Sequence, residues 1–128
     1  MKVLNKLALA VMLAASLGAI STAAVAETDP GRITYAPAEA IDMVAGKVKA
    51  AIDAISSGAS GEEADVLVKA ALDASKEINA NDKVDNARSK ANNKLKAARK
   101  HIKEAALQEA EQELRNAYKA FSDLKGLL

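Results

Sequence analysis

Apolar residues recur at helical spacing from the middle of the chain onward. Ile41, Ala45, Val48, Ile52 and Ile55 are separated by steps of 4, 3, 4 and 3 residues. Steps of three and four place side chains on one face of an α-helix, because the helix turns once every 3.6 residues. The pattern therefore predicts a first helix with one buried face, and the run Ser-Gly-Ala-Ser at 57–60 predicts where it ends.

A second helix is predicted after this break. Ser60 is followed three residues later by Glu63, which is the spacing of a capping box, in which side chains satisfy free N–H groups at a helix start. The apolar positions of this helix are Ala64, Leu67, Val68, Ala71, Leu72 and Ile78. The polar run at 79–82 predicts its end, and Asp82 is expected to cap a third helix.

The segment after Asp82 allows two interpretations, one long helix or two helices, because neither glycine nor proline occurs between Asp82 and Lys125. Two signals favour a tight turn at 99–104. A basic stretch gives way to an acidic one there, and cations suit a helix C-terminus while anions suit an N-terminus. The apolar stripe also changes phase, from Ala91, Leu95, Ala98 and Ile102 to Leu107, Ala110, Leu114, Ala117, Phe121 and Leu124.

A short unit occurs once in each predicted helix. The four copies are VKAAIDAI from Val48, VKAALDAS from Val68, LKAARKHI from Leu95 and LRNAYKAF from Leu114. A common unit would bury its first, fourth and eighth residues and expose the basic second residue. Chance similarity among alanine-rich amphipathic helices is the explanation we prefer. In either case, four helices joined by short loops predict an all-α, up-down-up-down four-helix bundle.

The N-terminus has the order of a secretory signal peptide. Lys2 and Lys6 precede an apolar run at 7–20, and Ala24-Val25-Ala26 forms a small-residue cleavage site. A transmembrane anchor is the alternative, but the run is shorter than the roughly 20 residues that span a bilayer. We therefore predict a cleaved signal peptide at 1–26, a flexible linker at 27–36, a bundle at 37–128 and a periplasmic location. No stable membrane anchor is expected after cleavage.

The composition narrows the function classes. Residues 27–128 carry 16 lysines and arginines against 17 aspartates and glutamates, a balance that predicts no general attraction to nucleic acid or to an anionic membrane. The basic stretch from Lys83 to Lys103 is interpreted as a solvated face that pairs with acidic neighbours. Without cysteine, thiol catalysis, iron–sulfur clusters and zinc–thiolate sites are excluded. We expect no enzymatic activity and no cofactor.

Few residues are candidates for metal binding. Glu62, Glu63 and Asp65 cluster at the start of the second helix, although their more ordinary role is to stabilise the positive end of the helix dipole. His101 is the only histidine and is expected to be a solvated loop residue. These four residues are the candidate ligands for a divalent metal.

The segment HIKEAALQEAEQELRNAY, from His101 to Tyr118, resembles the last helix of the periplasmic four-helix cytochromes b. In that family a methionine early in the first helix and a histidine after an RNAY-like stretch ligate haem. The resemblance places Met43 at the first position and Lys119 at the second. Since a protonated lysine does not ligate iron, the resemblance implies the fold and not the haem.

Most of residues 27–128 is also similar to the periplasmic small metal-binding proteins, which are four-helix bundles with short repeated units and many histidines. This likeness implies divalent-metal or cofactor binding as one hypothesis. The preferred hypothesis is a non-enzymatic binding, adaptor or structural role. Its partner is another protein or a second copy of the chain.

Overall fold

Four α-helices make up most of residues 34–128, the part of the chain described by the structure, which is a computed structural model. They are α1 (Pro37–Ser56), α2 (Gly61–Ser75), α3 (Asp82–Lys103) and α4 (Leu107–Asp123), followed by a short 3-10 helix, Leu124–Leu127. No strand occurs in these residues, so the all-α prediction is confirmed. The predicted signal peptide lies outside the described residues.

Local capping chemistry explains where the helices begin. Pro37 occupies the first turn of α1, where its missing N–H has no helical partner to lose. The Ser60 hydroxyl accepts a hydrogen bond from the Glu63 N–H at 3.2 Å, as the capping-box spacing predicts. The prediction that Asp82 caps α3 is wrong. Asn81 is the cap, and its Oδ1 accepts from the Val84 N–H at 3.0 Å.

The turn between α3 and α4 exists, but it lies at 104–106 and not at 99–104. Ala105 takes a positive φ of 58°, which stops the helix. Residues 99–103 remain helical because Ile102 is almost fully buried and holds the last turn of α3 against the core. His101 is therefore a half-buried residue of the last turn of α3, which corrects its assignment to a loop.

Part of the core is built from the residues that the repeated unit predicts. The first residue of each copy is fully buried, as is the alanine at its fourth position: Val48, Val68, Leu95 and Leu114; Ala51, Ala71, Ala98 and Ala117. The eighth residue is buried in three copies and half-buried in the other: Ser75, Ile102, Phe121 and Ile55. The basic second residue is exposed in every copy: Lys49, Lys69, Lys96 and Arg115. The burial predicted for the common unit is confirmed.

Each helix packs against two others. α1 contacts α2 and α4, and α3 contacts the same two helices, while the 3-10 helix packs near α1, α3 and α4. Tyr35, which the sequence places in the flexible linker, is half-buried and packs against this core. Among residues 34–128 no helix combines the length and the apolar character needed to cross a membrane.

Gly46 provides a test of the register of α1. It lies on the exposed face in the middle of the helix, and a Cβ atom there would meet no heavy atom of residues 34–128 within 4 Å. Gly46→Ala should raise the free energy of unfolding by about 0.5–1 kcal/mol, because glycine loses more backbone entropy than alanine on entering a helix. Urea denaturation measures the change.

Gly58→Ala is the matched control. Gly58 ends α1 with a φ of 85°, a conformation that alanine adopts only with strain, so the same substitution should lower stability there. A Gly46→Ala variant less stable than the wild type would show that this face of α1 is not open.

Candidate functional site

Charge is strongly segregated in the fold. α3 carries eight basic and two acidic side chains, a net charge of +6 with histidine neutral. The other residues of 34–128 carry seven basic and thirteen acidic side chains, a net charge of −6. The chain as a whole is therefore nearly neutral, although α3 is strongly basic and the rest of the described domain is acidic.

Six lysines lie along the two edges of the solvent-facing side of α3, which we call the lysine face. At 100° per residue the two groups are roughly 130° apart around the helix. One edge carries Lys83, Lys90 and Lys94, and the other carries Lys96, Lys100 and Lys103. Five are exposed and Lys94 is half-buried. Among the described residues, none of the six has a carboxylate oxygen within 4.0 Å, whereas both arginines of α3 form ion pairs. The pairing with acidic neighbours that the sequence suggested holds for the arginines and not for the lysines.

The local sequence explains why these lysines lack partners. An acidic residue three or four positions away along a helix can pair with a lysine. Only Lys100 has such a neighbour, Glu104, which lies 4.0 Å from His101 Nδ1 instead. Other lysines have cations at this distance, as in the pairs Lys90–Lys94 and Lys96–Lys100. Like charges four residues apart destabilise a helix by about 0.2–0.5 kcal/mol per pair.

Arg88 ties α3 to the end of α2. Its Nη1 donates to the Ile78 carbonyl at 3.0 Å, in the turn after α2, and to the carbonyl of Ser75, the last residue of α2, at 3.4 Å. Its Nη2 lies 3.6 Å from Asp85 Oδ1. Sequence reasoning missed this role, since only the spacing of Asp85 and Arg88 signals any contact.

Arg99 makes the second tie to α2, in a two-pronged pair with Asp65. Arg99 Nε donates to Asp65 Oδ1 at 2.7 Å, and Nη2 donates to Oδ2 at 3.0 Å. The hydrogen bond from Arg99 lowers the pKa of the Asp65 carboxyl and outweighs burial, which acts in the opposite direction. The two arginines together fix α3 against α2. Lys103 lies at the same junction, where its charge also helps to lower the pKa of Asp65.

The candidate metal ligands do not converge. Asp65 is held by Arg99, Glu62 and Glu63 are exposed, and His101 lies on another helix beside Glu104. Residues 34–128 contain no group of three or more histidines, aspartates and glutamates placed to hold a metal ion.

The positions that the cytochrome resemblance implies do not fit a haem ligand pair. The Lys119 side chain is 80% exposed and forms an ion pair with Asp123 at 3.1 Å. Its position on α4 therefore faces away from the bundle interior, where Phe121 and Leu114 are fully buried. Met43 on α1 is half-buried.

The Asp65–Arg99 pair makes the free energy of unfolding depend on pH in the acidic range. Because the folded pKa of Asp65 is lowered, the pair stabilises the fold above the unfolded pKa of about 3.9, and this stabilisation is lost as pH falls through the folded value. At neutral pH, Asp65→Asn should cost about 1 kcal/mol, since both side chains remain about one quarter exposed.

Chemical denaturation at neutral pH and below pH 3 tests this expectation. The gap between wild type and Asp65→Asn should narrow in acid, while Asp73→Asn, in the exposed pairs of α2, should change little at either pH. A constant gap would show that the carboxylate charge of Asp65 does not contribute.

The lysine face is long and chemically uniform. From Lys83 to Lys103 the helix rises about 30 Å. α3 contains no phenylalanine, tyrosine or tryptophan, and its one histidine, His101, is half-buried, so the face offers mainly cations and amide or hydroxyl groups. No protein-family model, curated protein or solved structure matches this chain.

Proposed function

We propose that the chain is an exported, non-enzymatic helical bundle with a binding, adaptor or structural role, and that the lysine face is its binding surface. The observation that supports this most directly is the set of α3 lysines that form no ion pair with any carboxylate of residues 34–128. Their repulsion costs stability within the helix, and an anionic partner would relieve it. The inner faces of all four helices are already occupied by core residues, which leaves the outer surface for recognition.

The proposal includes an up-down-up-down topology. Contacts between the ends of the helices support it. Ser56 at the end of α1 donates to Glu111 near the start of α4 at 3.0 Å. Asn81, which precedes α3, donates to the Leu127 carbonyl at 3.0 Å. Asp42, early in α1, pairs with Lys125, which follows α4. The start of α1 thus lies beside the end of α4, and the end of α1 lies beside the start of α4, as expected when successive helices alternate in direction.

Export by a cleaved signal peptide is the other part of the proposal. The support is the order of basic, apolar and small residues in 1–26. Tyr35–Leu128 forms a compact unit with its own core, so cleavage after Ala26 would leave that core complete.

One native mass spectrum of the protein purified from its own periplasm tests these statements together. The expected result is a chain that begins at Glu27 and carries no stoichiometric metal or cofactor. A chain that begins at Met1 would overturn the export proposal. A bound divalent metal or haem in every molecule would replace the proposed role with that of a carrier.

A further inference from the structure

We infer that the lysine face docks on an anionic lipid membrane surface and binds its phosphate headgroups by electrostatic attraction. The inference rests on the proposed function, in which this face is the binding surface, and it names the partner. Binding would be peripheral, since the apolar side of α3 is buried in the bundle core and is not available for insertion.

Segregation of charge favours a planar partner. A net charge of +6 on α3 and −6 on the rest of the described domain gives the molecule one attractive side. A flat anionic surface contacts this side alone and leaves the acidic helices in solvent. A partner that wraps around the domain would meet acidic side chains on α1, α2 and α4.

The type of cation also favours lipid headgroups. The six cations of α3 that form no ion pair within residues 34–128 are all lysines, which act as point charges towards phosphate, while the forked guanidinium groups of Arg88 and Arg99 are occupied within the protein. Single-stranded nucleic acid is bound through stacking on aromatic side chains, and α3 has no phenylalanine, tyrosine or tryptophan. A lysine array about 30 Å long matches an extended layer of headgroups.

The expected strength follows from the number of lysines. Each lysine near an anionic membrane strengthens binding about fivefold, and this attraction falls off within a Debye length of about 10 Å at 0.1 M salt. Neutralising three lysines should therefore weaken partitioning on the order of 100-fold.

Sedimentation with lipid vesicles tests the inference on the chain that begins at Glu27, with its folding checked by circular dichroism. One set of vesicles contains phosphatidylglycerol and phosphatidylcholine in equal amounts, and the other contains phosphatidylcholine alone. The test variant combines Lys90→Gln, Lys96→Gln and Lys100→Gln. The control variant combines Lys49→Gln, Lys69→Gln and Lys119→Gln, which remove the same charge from exposed positions on the other helices.

Binding of the wild type and the control variant to the phosphatidylglycerol vesicles, with loss in the test variant and at high salt, would support the inference. No binding to these vesicles at low salt would overturn it, as would equal losses in both variants.

Tighter binding to duplex DNA at the same salt would assign the face to nucleic acid. A dimer that dissociates only in the test variant would assign it to a second copy. In either of these two cases the lysine face is still a binding surface. If the test variant bound vesicles, duplex DNA and a second copy of the chain as the wild type does, the proposed function would be wrong as well.

Discussion

Leu114→Asp is expected to abolish the cooperative unfolding transition of the helical domain. Leu114 is fully buried at the first position of the fourth repeated unit. An aspartate there would be enclosed by the apolar core, and an unpaired buried charge costs several kcal/mol. Small domains are stabilised by only about 5–15 kcal/mol, so most of the folded population should be lost. Circular dichroism at 222 nm during heating is the measurement.

Gln112→Asp is the control for this substitution. Gln112 lies on the exposed side of the same helix. Its replacement by aspartate lowers helix propensity about as much as Leu114→Asp does, but the new charge stays in solvent. Its melting temperature should stay close to that of the wild type. If Leu114→Asp also melted like the wild type, the assigned buried face of α4 would be wrong.

Phe121→Ala should produce the second-largest loss of stability, about 3–5 kcal/mol. Phe121 has no exposed surface, and among the described residues it is the largest of the fully buried side chains. Removal of its ring takes away apolar contacts and leaves a cavity that the surrounding helices only partly fill. For a domain of this length the melting temperature should fall by at least about 12 °C. Calorimetry or chemical denaturation gives the value.

Tyr118→Ala is matched to it, since it removes an aromatic ring from the same helix. The Tyr118 side chain is 40% exposed, so its removal should cost about 1 kcal/mol. Equal losses for the two variants would contradict the assignment of Phe121 to the interior and Tyr118 to the surface.

The candidate site was less predictable than the fold. The sequence shows a basic stretch from Lys83 to Lys103, and pairing with acidic neighbours was the expected outcome. Which cations pair depends on the helix that packs beside each one. Arg99 reaches Asp65, which is 34 positions away in the chain, and Arg88 reaches carbonyl groups at the end of α2. No periodic pattern within α3 encodes either contact.

Several details of the helix ends also depended on packing. Asn81 competes with Asp82 for the cap of α3, and Asn81 is held in place by its second contact with the Leu127 carbonyl. The turn after α3 lies later than the change of charge suggests, because burial of Ile102 keeps the preceding residues helical. Both choices were settled by contacts with distant parts of the chain.

The sequence by itself determined that four helices form between Pro37 and Asp123 and which face of each is buried, down to the alanine of every repeated unit. Those features follow from steps of three and four residues, which are local and carry the geometry of the helix. The sequence placed the end of the second helix at 79–82, whereas α2 ends at Ser75.

Only the tertiary structure decided which charges meet. Arg99 finds its carboxylate on α2, whereas Arg88 pairs with Asp85 of its own helix. Within residues 34–128 no carboxylate oxygen lies within 4.0 Å of a lysine of the lysine face. Pairing across helices depends on their relative placement, which no local spacing specifies.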